Sequence, residues 1–335
     1  MSDAVPSAEQ FAAAVAELRA GRLIGLPTET VYGLAADAEN EHAVRQIFEW
    51  KGRPADHPLI VHLATTAQLD DWSRDIPPAA RRLADRFWPG PLTIILRRSR
   101  RALDVVTGGL DTVGLRVPGH PVALELLRQF GGALAAPSAN RFGRVSPTCA
   151  EHVRAEFADR PLLVLDGGPC RVGLESTIID LSGSGPRLLR PGLITVEQLA
   201  DVVGEPVEAA TADSPRAPGR MASHYAPRAR VELVAATDRR SRLQALLARG
   251  ENVAVIELAG DEPLADTAAN RSSQAPLVTR ISLGVQWDEC ARRLYAGLRE
   301  VDEAGCDVVL ITLPPATGVA AAIADRLLKA AGLGK

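Results

Sequence analysis

The stretch Leu26-Pro27-Thr28-Glu29-Thr30-Val31-Tyr32-Gly33-Leu34 constrains this chain more than any other. It follows a short apolar run, Leu23-Ile24-Gly25-Leu26, that reads as a buried strand, and it precedes a helix expected to begin near Asn40. A strand that ends in Pro and then presents Thr28, Glu29 and Thr30 is not built like an ordinary turn, which draws on Gly, Asn or Asp to reach positive φ. Polar side chains at the carboxyl end of a strand stand where α/β sheets hold their ligands. The hydroxyls of Thr28 and Thr30 donate and accept, whereas an ionised Glu29 only accepts. One Thr in such a place is best read as a local cap. The whole run is better read as part of a site.

Before that run, Ser7 to Ala20 has the spacing of an amphipathic helix, capped by Ser7 and ended by Gly21. After it, Asn40 caps a helix that ends at Lys51-Gly52, and Pro58–Leu63 is apolar enough for a central strand. Further strands are expected at Leu92–Leu96, Thr112–Val117, Ala133–Ala136, Leu162–Leu165, Ser176–Leu181 and Pro186–Leu189. Helices are expected between them at Pro78–Phe87, Val122–Phe130 and Thr148–Phe157. Because some strands follow one another directly, the pattern predicts an α/β fold around a mixed twisted sheet rather than a doubly wound parallel one. Residues 204–230, rich in Pro, Ala and Arg and without periodicity, read as a long linker between a domain over 1–203 and another over 231–335. In the second domain strands alternate with helices, the pattern of a small Rossmann-like unit. It lacks the glycine fingerprint that a dinucleotide site would need.

At 335 residues the chain is long enough for two domains, each with its own core. Cys149, Cys170, Cys290 and Cys306 are scattered, with neither zinc nor redox spacing, which points to reduced thiols in a cytoplasm. No secretory leader or membrane-length apolar run is evident. A net charge of −3 argues against a global nucleic-acid-binding field. Of 38 basic residues only Lys51, Lys329 and Lys335 are lysines. A compact ammonium at position 51, inside Lys51-Gly52-Arg53-Pro54, therefore looks chosen rather than incidental.

Lys51 and Arg53 sit at a helix end, where cations are favoured by the dipole, yet both can equally bind phosphate. Arg116 is a charge within the apolar strand around Val113–Val117 and is read as pointing into a cleft to bind a carboxylate. Ala136-Pro137-Ser138-Ala139-Asn140 again sets polar groups just after an apolar strand. Ser146 and Thr148 before the next helix are equally well read as plain N-caps. His57 and His62 flank one strand but cannot share a metal simply. With no HExxH, Cys/His cluster or nucleophile elbow, no protein-ligated metal is expected. Cations, hydroxyls and amides suit the orienting of an anionic substrate without a covalent intermediate.

Pro27-Thr28-Glu29-Thr30-Val31-Tyr32-Gly33-Leu34, Lys51-Gly52-Arg53-Pro54 and His57-Pro58-Leu59-Ile60-Val61-His62 together resemble the YrdC family. Ala136-Pro137-Ser138-Ala139-Asn140, Glu175-Ser176-Thr177-Ile178 and Leu189-Arg190-Pro191-Gly192 follow in family order, and His224-Tyr225-Ala226-Pro227 is similar to the long two-domain form. The resemblance implies formation of threonylcarbamoyl-AMP and pyrophosphate from L-threonine, bicarbonate and ATP, a nucleotidyl transfer, with Mg²⁺ carried by ATP. Thr30, His62, Arg116, Ala136 and Ser176 are then expected to hold L-threonine. Lys51, Arg53, His57, Thr112, Ser138, Asn140, Ser146 and Arg190 are expected to line the ATP site, with Lys51 and Arg53 catalytic and Tyr225 folding back from the linker as a lid. The product is expected to feed a separate transferase that modifies tRNA beside the anticodon. His57 stands where members often carry Asn, and the residues before His224 lack the usual aromatic and basic pattern.

A rival reading is an RNA-binding or ribosome-maturation module of the same fold, which would need a basic stripe and stacking aromatics. At 4% aromatic residues and negative net charge, the chain supports at most a weak RNA contact. A carbamoyl-transfer domain would need acylphosphatase-like and zinc-finger neighbours that this sequence does not contain.

Overall fold

The computed structural model describes residues 5–219, 225–262 and 276–334. They form two compact units, 5–142 with 146–219 and 143–145 with 225–334. His224, part of the carboxyl-terminal sequence match, lies outside the described residues.

The first unit begins with helix α1, Ala8–Arg19, started by a reciprocal capping box between Ser7 and Gln10. Phe11, Ala14, Val15 and Leu18 form its buried stripe. Strand β1, Ile24–Leu26, is followed by β2, Gly33–Asp37, paired antiparallel to it. The polar run thus joins two strands of a hairpin, whereas the sequence suggested a strand-to-helix loop. Helix α2, Glu41–Lys51, starts at Asn40, whose side chain accepts from the amide of Ala43. It stops at Gly52 in the left-handed region, φ 62°, which glycine occupies without strain.

The remaining strands are β3 Ile60–His62, β4 Ser73–Arg74, β5 Leu92–Arg98, β6 Thr112–Arg116, β7 Leu134–Ala135, β8 Leu163–Val164, β9 Thr177–Asp180, β10 Arg187–Arg190 and β11 Glu208–Ala209. The sheet order is β11-β10-β9-β5-β6-β3-β7-β2-β1-β8, with β4 beside β5. Parallel pairs such as β3–β6 and β5–β9 alternate with antiparallel pairs such as β5–β6 and β9–β10, so the sheet is mixed as expected. One large apolar cluster, including Leu34, Ile47, Val61, Trp72, Leu96 and Leu115, fills one side.

One local expectation changes. The helix Ala150–Glu156 is preceded by Cys149 at the N-cap, so neither Ser146 nor Thr148 caps it. The stretch 204–219, read from the sequence as part of a linker and lid, packs on the first unit. Strand β11 pairs with β10, Ala217 joins an apolar patch with Ile60, Ile95, Ile178 and Leu189, and Arg216 donates to Gly108 O and pairs with Asp56. Apolar area hidden under Ala210 and Ala217 gives the segment a reason to lie down that its composition concealed.

The second unit is a four-stranded sheet of β12 Arg230–Val234, β13 Val253–Glu257, β14 Val278–Ser282 and β15 Val308–Thr312, in the order β12-β15-β13-β14 and parallel throughout. Helices Arg239–Ala248, Trp287–Glu303 and Gly318–Ala330 connect or follow its strands, as a Rossmann-like unit requires. Among the described residues no helix is long and apolar enough to cross a membrane.

Candidate functional site

Strand periodicity builds the site. On a sheet, alternate residues share a face, and register places His62 directly beside Arg116 across the parallel β3–β6 pair. The same face carries Thr112 and Gly114 from β6 and Thr93 and Ile95 from β5, with Ile178 from β9 next to Thr93. A cleft on this face is lined by Ile60, Thr93, Thr112, Gly114, Ile178 and Pro218. Gly114 leaves its floor bare, since a Cβ there would stand 3.4 Å from Thr93 Cγ2 and 3.6 Å from Ile60 Cγ1.

Arg116, 4% exposed, is held on three sides. Its Nε donates to Gly90 O at 3.2 Å, Nη1 donates to Thr30 Oγ1 at 2.9 Å, and Nη2 lies 2.6 Å from Glu29 Oε1. Burial pushes the Glu29 carboxyl up, but the charge of Arg116 and the amide of Gly119 outweigh it and hold the group below its ordinary value. A side chain at Gly119 would crowd this corner, since a Cβ would come within 3.3 Å of Gly90 Cα and 3.4 Å of Glu29 Oε1. Thr28 does what a single Thr was expected to do. Its hydroxyl donates to Val31 O and accepts from the amides of Thr30 and Val31, closing the loop locally.

The loop is stitched down at both ends. Val172 N donates to Glu29 O, Tyr32 N to Pro147 O, and Ala139 N to Tyr32 O. The buried Tyr32 hydroxyl donates to Gly168 O at 2.8 Å and accepts from Gly167 N. These bonds bring the Ala136–Asn140 segment beside the first motif, where Ala136 N donates to Ile60 O. Such a loop needs little reordering to receive a ligand.

His62 is 3% exposed, and its Nδ1 has no hydrogen-bond partner among the described residues. Burial, then the charge of Arg116, lowers its pKa to about 3. The ring is therefore neutral in the folded protein at neutral pH. An unfolded His binds a proton near pH 6.5, so the stability His62 contributes is present above that value and lost as pH falls toward 3. The slope is about 1.4 kcal/mol per pH unit. Urea unfolding at pH 7 and pH 5 should show wild type losing about 2 kcal/mol more than His62→Gln over that interval. Equal losses would mean the ring is not buried as a neutral group.

Ser176 and Thr93 share a hydroxyl–hydroxyl contact of 2.8 Å, fully buried. Arg190 wraps this corner: Nε donates to Ser176 O, Nη2 to Ser176 Oγ and Nη1 to Pro218 O. Much of its fork is thus spent on protein atoms. Lys51, 3% exposed, donates to the carbonyls of Ser138 and Asn140 at 2.5 Å each. Burial and the neighbouring charge of Arg53 push its ammonium well below the ordinary range. Arg53 Nη2 donates to Pro58 O, and the His57 ring lies 5.5 Å from that of Phe142. Burial, followed by the charge of Arg53, lowers the His57 pKa. Ser146 donates to Glu175 Oε1 at 2.6 Å, and Asn140 Nδ2 to Arg141 O.

The structure therefore brings Thr30, His62, Arg116, Ala136 and Ser176 onto one side of the sheet, with Lys51, Ser138 and Asn140 knotted beside them. Thr112 lies at the opposite end of β6 from Arg116. Tyr225 lies in the other unit, 1% exposed, with its ring 5.6 Å from Tyr295 and 5.3 Å from the Arg326 guanidinium carbon. Sequence reasoning missed Thr93, whose signal is a hydroxyl in the apolar run Leu92-Thr93-Ile94-Ile95. It also left Glu29 and Glu175 without site roles, although both lie in the quoted motifs. Among the described residues no cluster of three or more His, Cys, Asp or Glu could hold a metal ion.

Comparison with known proteins places these features in context. A family profile for Sua5, YciO and YrdC proteins, described as "Telomere recombination", matches residues 16–192, and one described as "Threonylcarbamoyl-AMP synthase, C-terminal domain" matches residues 194–332. The Threonylcarbamoyl-AMP synthase of Pyrococcus abyssi is 43% identical, covering 94% of this chain and 92% of the relative. That of Bacillus subtilis is 42% identical, covering 96% and 93%. A crystal structure of P. abyssi Sua5 complexed with L-threonine superposes with a TM-score of 0.85 at 41% identity, covering 96% of this chain and 94% of that one. Escherichia coli YciO covers 58% of this chain and 95% of its own, with a TM-score of 0.51 and 25% identity.

Proposed function

Since this chain belongs to the Sua5/YciO/YrdC family in its two-domain form, we propose that it makes threonylcarbamoyl-AMP and pyrophosphate from L-threonine, bicarbonate and ATP. The observation that carries the threonine site is the guanidinium of Arg116, buried on one sheet face beside a neutral His62 and bonded to Thr30. Of the five N–H groups of an Arg, one on Nε and one on Nη1 donate to Gly90 O and Thr30 Oγ1, and Nη2 lies against Glu29 without an aligned bond, which leaves donors for a substrate carboxylate. Thr30, His62, Ala136 and Ser176 are proposed to complete that site, where the two hydroxyls and the ring can pair the threonine hydroxyl.

The amine of threonine attacks the carbon of bicarbonate, and water leaves as the carbamate forms. A carbamate oxygen then attacks the α-phosphate of ATP, and pyrophosphate departs. Lys51 and Arg53 are the cations proposed to meet the phosphates, with His57, Thr112, Ser138, Asn140, Ser146, Arg190 and Tyr225 proposed around the nucleotide. Mg²⁺ travels on the phosphates, since a hard cation that dehydrates reluctantly keeps phosphate and water ligands. The product passes to a separate transferase for modification of the tRNA adenosine beside the anticodon. A cytoplasmic site of action fits four free thiols.

Pyrophosphate release from ATP tests the reading. It should require L-threonine and bicarbonate together, and release that ignores either one sinks the assignment. The same assay tests specificity. Because a site that bonds a hydroxyl leaves its own polar groups unpaired when the hydroxyl is missing, 2-aminobutyrate and valine should be turned over on the order of a hundredfold or more less efficiently than threonine. Equal kcat/KM for valine and threonine would show that no hydroxyl is read.

A further inference from the structure

Glu29 is a buried charge that braces Arg116 but has been given no ligand of its own. It is 5% exposed, and although the Gly119 amide and the Arg116 guanidinium lie close enough to hold its pKa down, neither carboxylate oxygen has a well-aligned hydrogen bond among the described residues. Arg116 Nη2 is in the same condition, although it lies only 2.6 Å from Glu29 Oε1. A carboxylate present only to neutralise an arginine gains most from two aligned, parallel bonds to the fork. This one has given up its water without making them, and the lone pairs of a buried charge are costly to leave unused.

The remaining partners of Arg116 show where a ligand would sit. Gly90 O and Thr30 Oγ1 take its other engaged N–H groups, and His62 is its neighbour in the sheet. An α-amino acid that places its carboxylate on Arg116 brings an ammonium two bonds away into the same buried space. Nothing cationic can be left there without an opposite charge. His62 can be at most an uncharged acceptor, and the Glu175 carboxylate is turned toward the Ser146 hydroxyl. Glu29 stands against the guanidinium itself.

We propose that Glu29 receives the α-ammonium of the amino-acid substrate while Arg116 holds its carboxylate, so that the pocket recognises a zwitterion and selects an amine over a hydroxyl at the α-carbon. The assignment rests on the threonine reading above. It makes Glu29 a substrate-binding residue rather than only a brace for Arg116.

The test compares calorimetric binding of L-threonine and of 2,3-dihydroxybutyrate, the analogue with hydroxyl in place of amine, to wild type and Glu29→Gln. Wild-type pyrophosphate release is measured first; if it does not depend on threonine, the functional reading fails independently of Glu29. Wild type should prefer threonine strongly. Glu29→Gln should weaken threonine roughly ten- to a hundredfold, the worth of one charge-assisted bond, and leave the hydroxy analogue within about threefold. Equal weakening of both ligands would make Glu29 a brace only, and unchanged threonine affinity would also overturn the proposal. Should Glu29→Gln fail to fold, Glu29→Asp keeps the charge. That variant should retain a preference for threonine over the hydroxy analogue, and loss of the preference would count equally against the idea.

Discussion

Arg116→Met is expected to abolish pyrophosphate release and to destabilise the protein by about 3–5 kcal/mol, because it strands the Glu29 carboxylate in a largely buried site without its counter-charge. Glu29 and Arg116 are respectively 6% and 4% exposed at the side chain, so neither charge can be rescued by solvent. The pair as a whole is a different matter. Two desolvated ions repay their burial poorly, and replacing both by apolar groups of similar size is often neutral or better. The double variant Arg116→Met/Glu29→Leu should therefore recover wild-type stability to within about 1 kcal/mol while remaining inactive. Chemical denaturation and turnover together separate the two roles. An active double variant, or a single variant as stable as wild type, would refute the assignment of this pair to the substrate site. The carboxyl of Glu29 is held below its ordinary value, so its stability is present above the unfolded pKa and lost as pH falls through the folded one. Acid unfolding of the double variant should lack that component.

Lys51→Ala should reduce kcat/KM by at least about a hundredfold, with a fall in stability as well. A charge-assisted hydrogen bond is worth about 1.5–3 kcal/mol, and this ammonium makes two, to Ser138 O and Asn140 O. Without it both carbonyls lose a buried donor, and the loop bearing Ser138, Asn140 and Ser146 loses the knot that fixes its approach to the first motif. The backbone of Lys51 takes part too, accepting from Phe142 N at 2.7 Å, and that bond survives substitution. Lys51→Arg should restore little, since a planar fork cannot point at both carbonyls from a slot only 3% exposed. Turnover and thermal unfolding of the two variants check this. Wild-type rates in Lys51→Ala would reduce Lys51 to a charge that complements the dipole of its helix.

The sequence carried the local rules of this fold. Ser7 with Gln10 and Asn40 before α2 mark helix starts through bonds that span three residues, and Gly52 ends a helix through its own backbone freedom. Mixed strand order followed from short connections between neighbouring apolar runs. Arg116 was visible because it interrupts an apolar strand, whereas Thr30, His62 and Ser176 were picked out by the motifs that carry the family resemblance. What the sequence could not express was who faces whom. Period 2 assigns a strand residue to a face, but only sheet order makes His62 the neighbour of Arg116 across 54 positions of chain. Glu29 meets Arg116, Lys51 meets Ser138 and Asn140, and Ser146 meets Glu175 through long-range contacts that no local propensity encodes. The same cause acted on two further segments. Ser146 had the composition of a helix cap, yet its hydroxyl was taken by a carboxylate brought in from another loop. Residues 204–219 had the composition of a linker, yet Ala217 found an apolar face of the sheet that exists only once β3, β5 and β9 lie side by side. Local chemistry chose which groups were available, and tertiary packing chose their partners, because the energy of a buried polar group depends on what closes over it.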